Sequence, residues 1–172
     1  MASGNWNNSD GLYLKYGTSK ATAAAAGDFV SPGGLRVIEL KIADLTTLTT
    51  TAAIMDDNVF VPTNSIIEQV EVIADTAATS GGSATLNIGL MKDDRSTTIS
   101  DTALISAAAL TTIDGTGEKT TYVLGTSGAG TKIGTTIGTD RGYITAKYGT
   151  AVFTAGAVTV RIYYRGTGTI TQ

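Results

Sequence analysis

Two stretches of the chain alternate apolar and polar residues with a period of two. In the first, Ile66, Val70, Val72 and Ala74 share one parity, Glu68 breaks it, and Gln69 and Glu71 fall between. In the second, Ala84, Leu86, Ile88 and Leu90 alternate with Thr85, Asn87 and Gly89. A period of two is the mark of a strand with one dry and one wet face. Thr76–Ser83 between them is small and carries Gly81-Gly82, which reads as a turn. The pattern therefore predicts a hairpin over 58–91, two antiparallel strands sharing one buried face. A short strand enters it from Asn58 and ends at Val61-Pro62, because proline cannot donate to a ladder.

The same pattern recurs toward both ends. In 35–42, Ile38, Leu40 and Ile42 face one way, Glu39 and Lys41 the other. In 152–165, Val158, Val160, Ile162 and Tyr164 share a face, and Thr159, Arg161, Tyr163 and Arg165 share its opposite. Thr120–Leu124 and Tyr143–Tyr148 read as further strands. Asp44–Ala53 is Thr-rich, an edge strand or a solvated loop, and Gly125–Thr139 is a long loop or weak edge strand, of a kind that often faces a partner. Asp101–Leu110 is the one credible helix: Ser100 or Asp101 can cap it, Ala and Leu favour it, and Leu104, Ile105 and Ala108 give it a dry stripe.

Residues 1–34 differ. Asn5–Gly11 is turn chemistry around a single Trp, Leu12–Gly17 a short strand, Ala21–Gly27 nearly featureless, and Ser31-Pro32-Gly33-Gly34 a break. The expected organisation is an extended N-terminal arm, 1–34, and one β domain, 35–172. Threonine is the commonest residue, which suits a pleated, half-exposed surface, and only Pro32 and Pro62 are proline. The sum is an all-β chain, about eight strands with one short helix, a sandwich or barrel without a fixed repeat.

Composition narrows the chemistry. Cysteine and histidine are absent, removing thiolate chemistry, disulfides, the commonest general base and the commonest metal ligand. Charged residues make up 16% and the net charge is −3, a poor match to nucleic acid, which wants clustered positive charge. No run approaches the ~18 apolar residues that span a bilayer, and no secretory signal opens the chain, so synthesis and use in the cytosol is the expectation. Gly125–Lys132 only faintly resembles a phosphate loop, since Thr131 separates Gly130 from Lys132 and no helix pattern follows. The pairs Asp56-Asp57 and Asp93-Asp94 read as solvated turns rather than calcium ligands. Glu39, Glu68 and Glu71 read as wet-face strand residues, and no serine has a histidine partner. We expect no enzyme, no cofactor and no metal.

What remains is contact chemistry. Trp6, Tyr13, Leu14 and Tyr16 in the arm, and the outward row Arg161, Tyr163, Arg165, have the composition of protein interfaces. Tyr143, Tyr148, Tyr163 and Tyr164 could instead form an aromatic platform over a groove, as a carbohydrate- or receptor-binding sandwich would need.

Three stretches carry a resemblance. They are Asn5-Trp6-Asn7 with Asp10–Gly17; Val61-Pro62-Thr63-Asn64-Ser65-Ile66-Ile67 leading into Val70–Ala74 and Ala84–Gly89; and Thr154–Tyr164. Together they resemble small structural proteins of tailed bacteriophages that decorate or cement the head. The resemblance implies a jelly-roll-like antiparallel β-sandwich assembled as a small symmetric oligomer, a trimer. It implies binding to the outer face of the major capsid protein, hence a place on the virion surface, with neither nucleic acid nor membrane as partner. The family has no catalytic residue to carry over.

Overall fold

The computed structural model describes residues 4–7, 13–16 and 34–166. The chain divides into two units, Met1–Gly34 and Leu35–Gln172. In the first, β1 (Gly4–Asn7) and β2 (Tyr13–Tyr16) pair antiparallel, with Trp6 opposite Leu14 and Asn7 opposite Tyr13. Asn5–Asn7 was expected as turn chemistry and is strand instead: ladder pairing to β2 outweighs the turn preference of asparagine. The Ala21–Gly27 stretch, the break at Ser31-Pro32-Gly33 and the arm's side chains lie outside the described residues.

The second unit holds β3 (Arg36–Ile42), β4 (Ala53–Ile54), β5 (Phe60–Val61), β6 (Ser65–Ser80), β7 (Thr85–Met91), β8 (Thr98–Ala109), β9 (Lys119–Val123), β10 (Gly142–Gly149) and β11 (Phe153–Gly166). One sheet runs β3-β11-β6-β9; the other runs β4-β10-β7-β8, with β5 also on β10. β4 and β5 are two pieces of one strand position, since they pair with successive segments of β10. That leaves eight positions in two antiparallel sheets, with the first strand beside the last. This is a jelly-roll sandwich. The inward residues of both sheets make one core, including Val70, Val72, Val160 and Ile162 from one side and Leu86, Ile88, Leu90 and Ile144 from the other, each 0% exposed.

The hairpin expected over 58–91 does not form. β6 pairs with β11 and β9, and β7 with β10 and β8, so the two strands sit in opposite sheets. Period-two alternation fixes which face is dry but not which strand supplies the hydrogen bonds, and both strands contribute to the same core from opposite sides. The parity break at Glu68 has a structural cause. Tyr163 opposes Gln69 while Tyr164 opposes Ile67, so a bulge at Glu68 resets the alternation. Ile67 is therefore fully buried, in place of the expected Ile66.

The helix expected over 101–110 is strand β8, and among the described residues there is no α-helix. Intrinsic helix preference loses here to tertiary pairing. Ile105 opposes Ile88 and Ser100 opposes Leu90, so β8 spends extra residues between those points. The detour passes close over Gly89: a Cβ there would lie 2.5 Å from the Ser100 carbonyl oxygen. It brings the Asp101 carboxylate 2.6 Å from Lys147 Nζ on β10.

Gly125–Thr139, read as a long loop or weak edge strand, packs onto its own domain. Gly130 N–H donates to Leu104 O (3.1 Å), Thr131 N–H to Thr102 O (3.0 Å), and Ser106 N–H to Gly128 O (2.9 Å), covering the edge of β8. Farther along, Gly134 N–H donates to Ile67 O (2.7 Å) and Ile137 N–H to Ser65 O (3.0 Å), at the start of β6. The segment thus ties the two sheets together, and its two isoleucines, Ile133 and Ile137, are buried. The Thr-rich connection after β3 contains a 3-10 turn, Leu45–Thr47, capped by Asp44 Oδ1, which accepts from Thr46 N–H at 2.8 Å. Leu45 and Leu48 are buried, while the threonines face outward.

Two buried hydroxyls, Ser65 Oγ and Thr145 Oγ1, have no partner among the described residues, and both residues are 0% exposed. Thr145→Val keeps the shape of its side chain and removes the polar group. We expect it to stabilise the fold by about 1 kcal/mol, read as a higher urea midpoint at unchanged slope.

Candidate interaction surface

Alternation along β11 turns Thr159, Arg161, Tyr163 and Arg165 to the outer face of the four-stranded sheet, as the sequence pattern requires. Their neighbours across the ladders are set by register. Arg161 lies between Glu39 and Glu71, and Tyr163 between Val37 and Gln69; Gln69 in turn faces Val123 of β9. The polar heads find one another. Arg161 Nε donates to Glu39 Oε2 at 2.8 Å, Arg165 Nη2 reaches Glu68 Oε1 at 2.7 Å, and Tyr163 Oη donates to Glu71 Oε2 at 2.9 Å. Thr159 Oγ1 donates to Asp75 Oδ2 at 2.8 Å, with Lys41 Nζ 3.8 Å from the same oxygen.

Glu71 is the centre of this network. It was expected on a wet face and is only 6% exposed. Strand alternation does point it outward, but Lys119, Tyr163 and Gln69 fold over it. Lys119 Nζ donates to Glu71 Oε1 at 2.9 Å and Gln69 Nε2 to the same oxygen at 3.1 Å. The Lys119 hydrogen bond, chiefly, holds the Glu71 carboxyl below its ordinary range against the opposing effect of burial. The carboxylate in turn raises Tyr163, since its hydrogen bond from the phenol O–H favours the neutral phenol, and Glu39 raises Arg161. The outer face is thus a fixed arrangement of ion pairs with half-exposed apolar residues among them. Leu35 and Val37 are each 51% exposed and Val123 is 37% exposed. Fixed side chains lose little freedom on docking, which favours contact. Of the seven sequence-predicted interface residues, the structure gathers Arg161, Tyr163 and Arg165 on this face. It places Trp6, Tyr13, Leu14 and Tyr16 on the β1–β2 hairpin, by backbone alone.

A second cluster escaped the sequence reading. On the outer side of the other sheet Phe60 and Tyr143 pack at 5.8 Å between ring centroids, Arg95 lies 5.0 Å over Tyr143, and Arg141 lies 5.0 Å over Phe60. Arg95 also reaches Asp57 at 3.2 Å, and Lys92 reaches Asp140 at 3.1 Å. The β5–β10 and β7–β10 registers bring these residues together, and no spacing in the sequence signals it.

The aromatic platform does not form. Tyr143 and Tyr163 lie on the outer sides of different sheets, Tyr143 and Tyr164 are both buried at 8% and 7% exposure, and Tyr148 packs against the core. The acidic pairs serve turns: Asp94 accepts from the N–H groups of Ser96 (2.9 Å) and Thr97 (2.7 Å), and Asp56 from that of Asn58 (2.8 Å). The Thr97 hydroxyl and these N–H groups hold Asp94 far below the usual carboxylate range. Among the described residues no three acidic groups converge as a metal site.

The fold has relatives in solved structures. A chain in the capsid of Ralstonia phage GP4 superposes with a TM-score of 0.52 at 16% identity, over 80% of this chain and 87% of that one. A chain in the cyanophage Pam1 capsid asymmetric unit gives 0.49 at 22% identity, over 77% of this chain and 84% of that one. At such identities the likeness is one of fold. No protein-family model matches the sequence, and no curated protein does.

Proposed function

We propose that this chain is a non-enzymatic structural protein of a phage virion, one that binds the outside of the capsid as a cement or decoration protein and bridges major capsid protein subunits. The observation that carries the reading is the jelly roll it shares, over 80% of its length, with a chain in a phage capsid. The outer sheet face agrees with the role. A bridging protein needs a surface whose side chains are already in place, and the Glu39–Arg161, Glu71–Tyr163 and Glu68–Arg165 contacts supply one. Such a protein stabilises a shell by mass action, because it binds only the assembled form. In this reading the arm residues Trp6, Tyr13, Leu14 and Tyr16 and the row Arg161, Tyr163, Arg165 lie in capsid or inter-subunit contacts, and the working unit is a homo-oligomer, a trimer by the resemblance.

The test uses shells assembled from the major capsid protein of the same genome. We expect purified protein to pellet with them, raise their melting temperature, and appear as added density on their outer face. Deleting residues 1–30 should weaken binding about tenfold or more while the β circular-dichroism signal persists. Protein left in the supernatant overturns the capsid reading. A truncated chain that binds as tightly as the whole overturns the arm's share of it.

A further inference from the structure

We propose that β3 pairs antiparallel with β3 of a second copy of this chain, about a two-fold axis at Leu40. β3 is an edge strand, with β11 on one side and no strand on the other among the described residues. The remaining edges differ. That of β8 is covered by the segment around Gly130, β4 and β5 are two residues each, and β9 is five. β3 runs seven residues without Pro or Gly. A bare edge of that kind is a template for another strand, and proteins commonly block it with charge.

Here the charges match instead of blocking. With the axis at Leu40, Glu39 faces Lys41 twice and Ile38 faces Ile42 twice, Leu40 meeting its own copy; continued just past the end of β3, the same register sets Val37 against Ala43 and Arg36 against Asp44, whose Oδ1 also caps Thr46. Each pair lies on one face of the joined sheet: Ile38, Leu40 and Ile42 continue the core-facing layer, and Glu39 and Lys41 the outer one. Moving the axis by one residue brings Glu39 opposite Glu39 or Lys41 opposite Lys41, and the shift at Leu40 avoids both like-charge pairs. The side chains can reach. Glu39 and Lys41 keep 56% and 66% exposure despite their internal partners, and Arg36, Ala43 and Asp44 are exposed. The contact is isologous, as a two-fold requires. It rests on this strand and not on the capsid reading, and being two-fold it joins copies across a contact separate from any three-fold one.

The test is a charge exchange on the full chain, read by sedimentation velocity over a concentration series. Glu39→Lys alone sets base against base at both outer pairs across the axis; Lys41→Glu alone sets acid against acid. Each variant should self-associate about tenfold or more weakly than wild type. An equimolar mixture should regain association, because one copy then offers two acids and the other two bases. The chain has no cysteine. A Val37→Cys copy mixed with an Ala43→Cys copy should therefore form a disulfide-linked heterodimer under mild oxidation, at positions that do not enter the core. Single variants that associate like wild type, a mixture that fails to recover, or cysteine copies that do not cross-link, overturn the proposal; this edge is then covered by something other than a second β3.

Discussion

Gly130→Ala should destabilise the β domain by about 3 kcal/mol or more, at the severe end for a single methyl group. The segment around Gly130 lies directly on β8, and a Cβ there would stand 2.3 Å from the Ala103 carbonyl oxygen and 2.4 Å from two carbonyl carbons. These are backbone atoms, which cannot swing aside as a side-chain tip would. Relief requires the segment to lift, and lifting breaks the hydrogen bonds from Gly130, Thr131 and Lys132 to Leu104, Thr102 and Ala103. Two consequences should appear together. The urea midpoint falls, and amide exchange at Thr131 and Lys132 accelerates beyond what global unfolding accounts for. The uncovered edge of β8 also invites strand pairing between molecules, so the variant should aggregate at concentrations where the parent stays clear. Gly81→Ala is the control: a Cβ there meets nothing within 4 Å, and its effect should stay within about 0.5 kcal/mol. Equal stability for Gly130→Ala and wild type would show that the segment does not pack as described.

Much of this architecture is legible in the alternation itself. The dry face of β11, the inward residues of β3 and the core side of β7 follow from parity, because a sheet with one buried face cannot tolerate a slip of one residue. What alternation cannot supply is pairing. Nothing local tells that β6 meets β11, at the far end of the domain, and not its sequence neighbour β7. Asp101–Leu110 misleads for the opposite reason. Its local preference is real, but Leu104 and Ile105 are both needed in the core, and the Gly89 and Gly130 backbones approach it too closely for a helix. The interaction surface divides in the same way. Arg161, Tyr163 and Arg165 can be placed on one face from their spacing. The partners that fix them come from β3 and β6, so the burial of Glu71 could not be read from its own strand. The single local sign of trouble was Glu68, the polar residue at an apolar parity, and it marks the bulge.

Glu71→Ala should cost about 2 kcal/mol at neutral pH, a large effect for a residue whose strand position faces outward. It removes the acceptor for Tyr163 Oη, Lys119 Nζ and Gln69 Nε2 at once. Lys119 keeps 53% exposure and regains water, so its share is small, and the loss falls mainly on the half-buried phenol and the space left beneath it. The pH dependence separates charge from packing. The folded state holds the Glu71 carboxyl below its ordinary value of 4.5, so the unfolded chain takes up a proton first as acid is added. Its contribution is therefore complete above about 4.5 and is lost as pH falls through the lower folded value. Glu71→Gln, which keeps the shape, should lie below wild type in melting temperature at pH 7 and converge on it toward pH 3. Asp44 and Asp94 are depressed as well and slope the same way, but they are common to both proteins and cancel in the difference. Tyr163 is raised by Glu71, so the alkaline limb carries the opposite sign: its contribution persists below the ordinary phenol value of 10 and fades as pH climbs through the higher folded one. Tyr163→Phe should make that limb shallower, with the slope from the burial-raised Tyr122 remaining, and should shrink the acid limb in part, because the Tyr163 hydroxyl helps to lower Glu71. A gap between wild type and Glu71→Gln that stays constant from pH 7 to pH 3 would mean that the carboxylate is not the group holding Lys119 and Tyr163 across β6, and the preset surface assigned to this face would lose its centre.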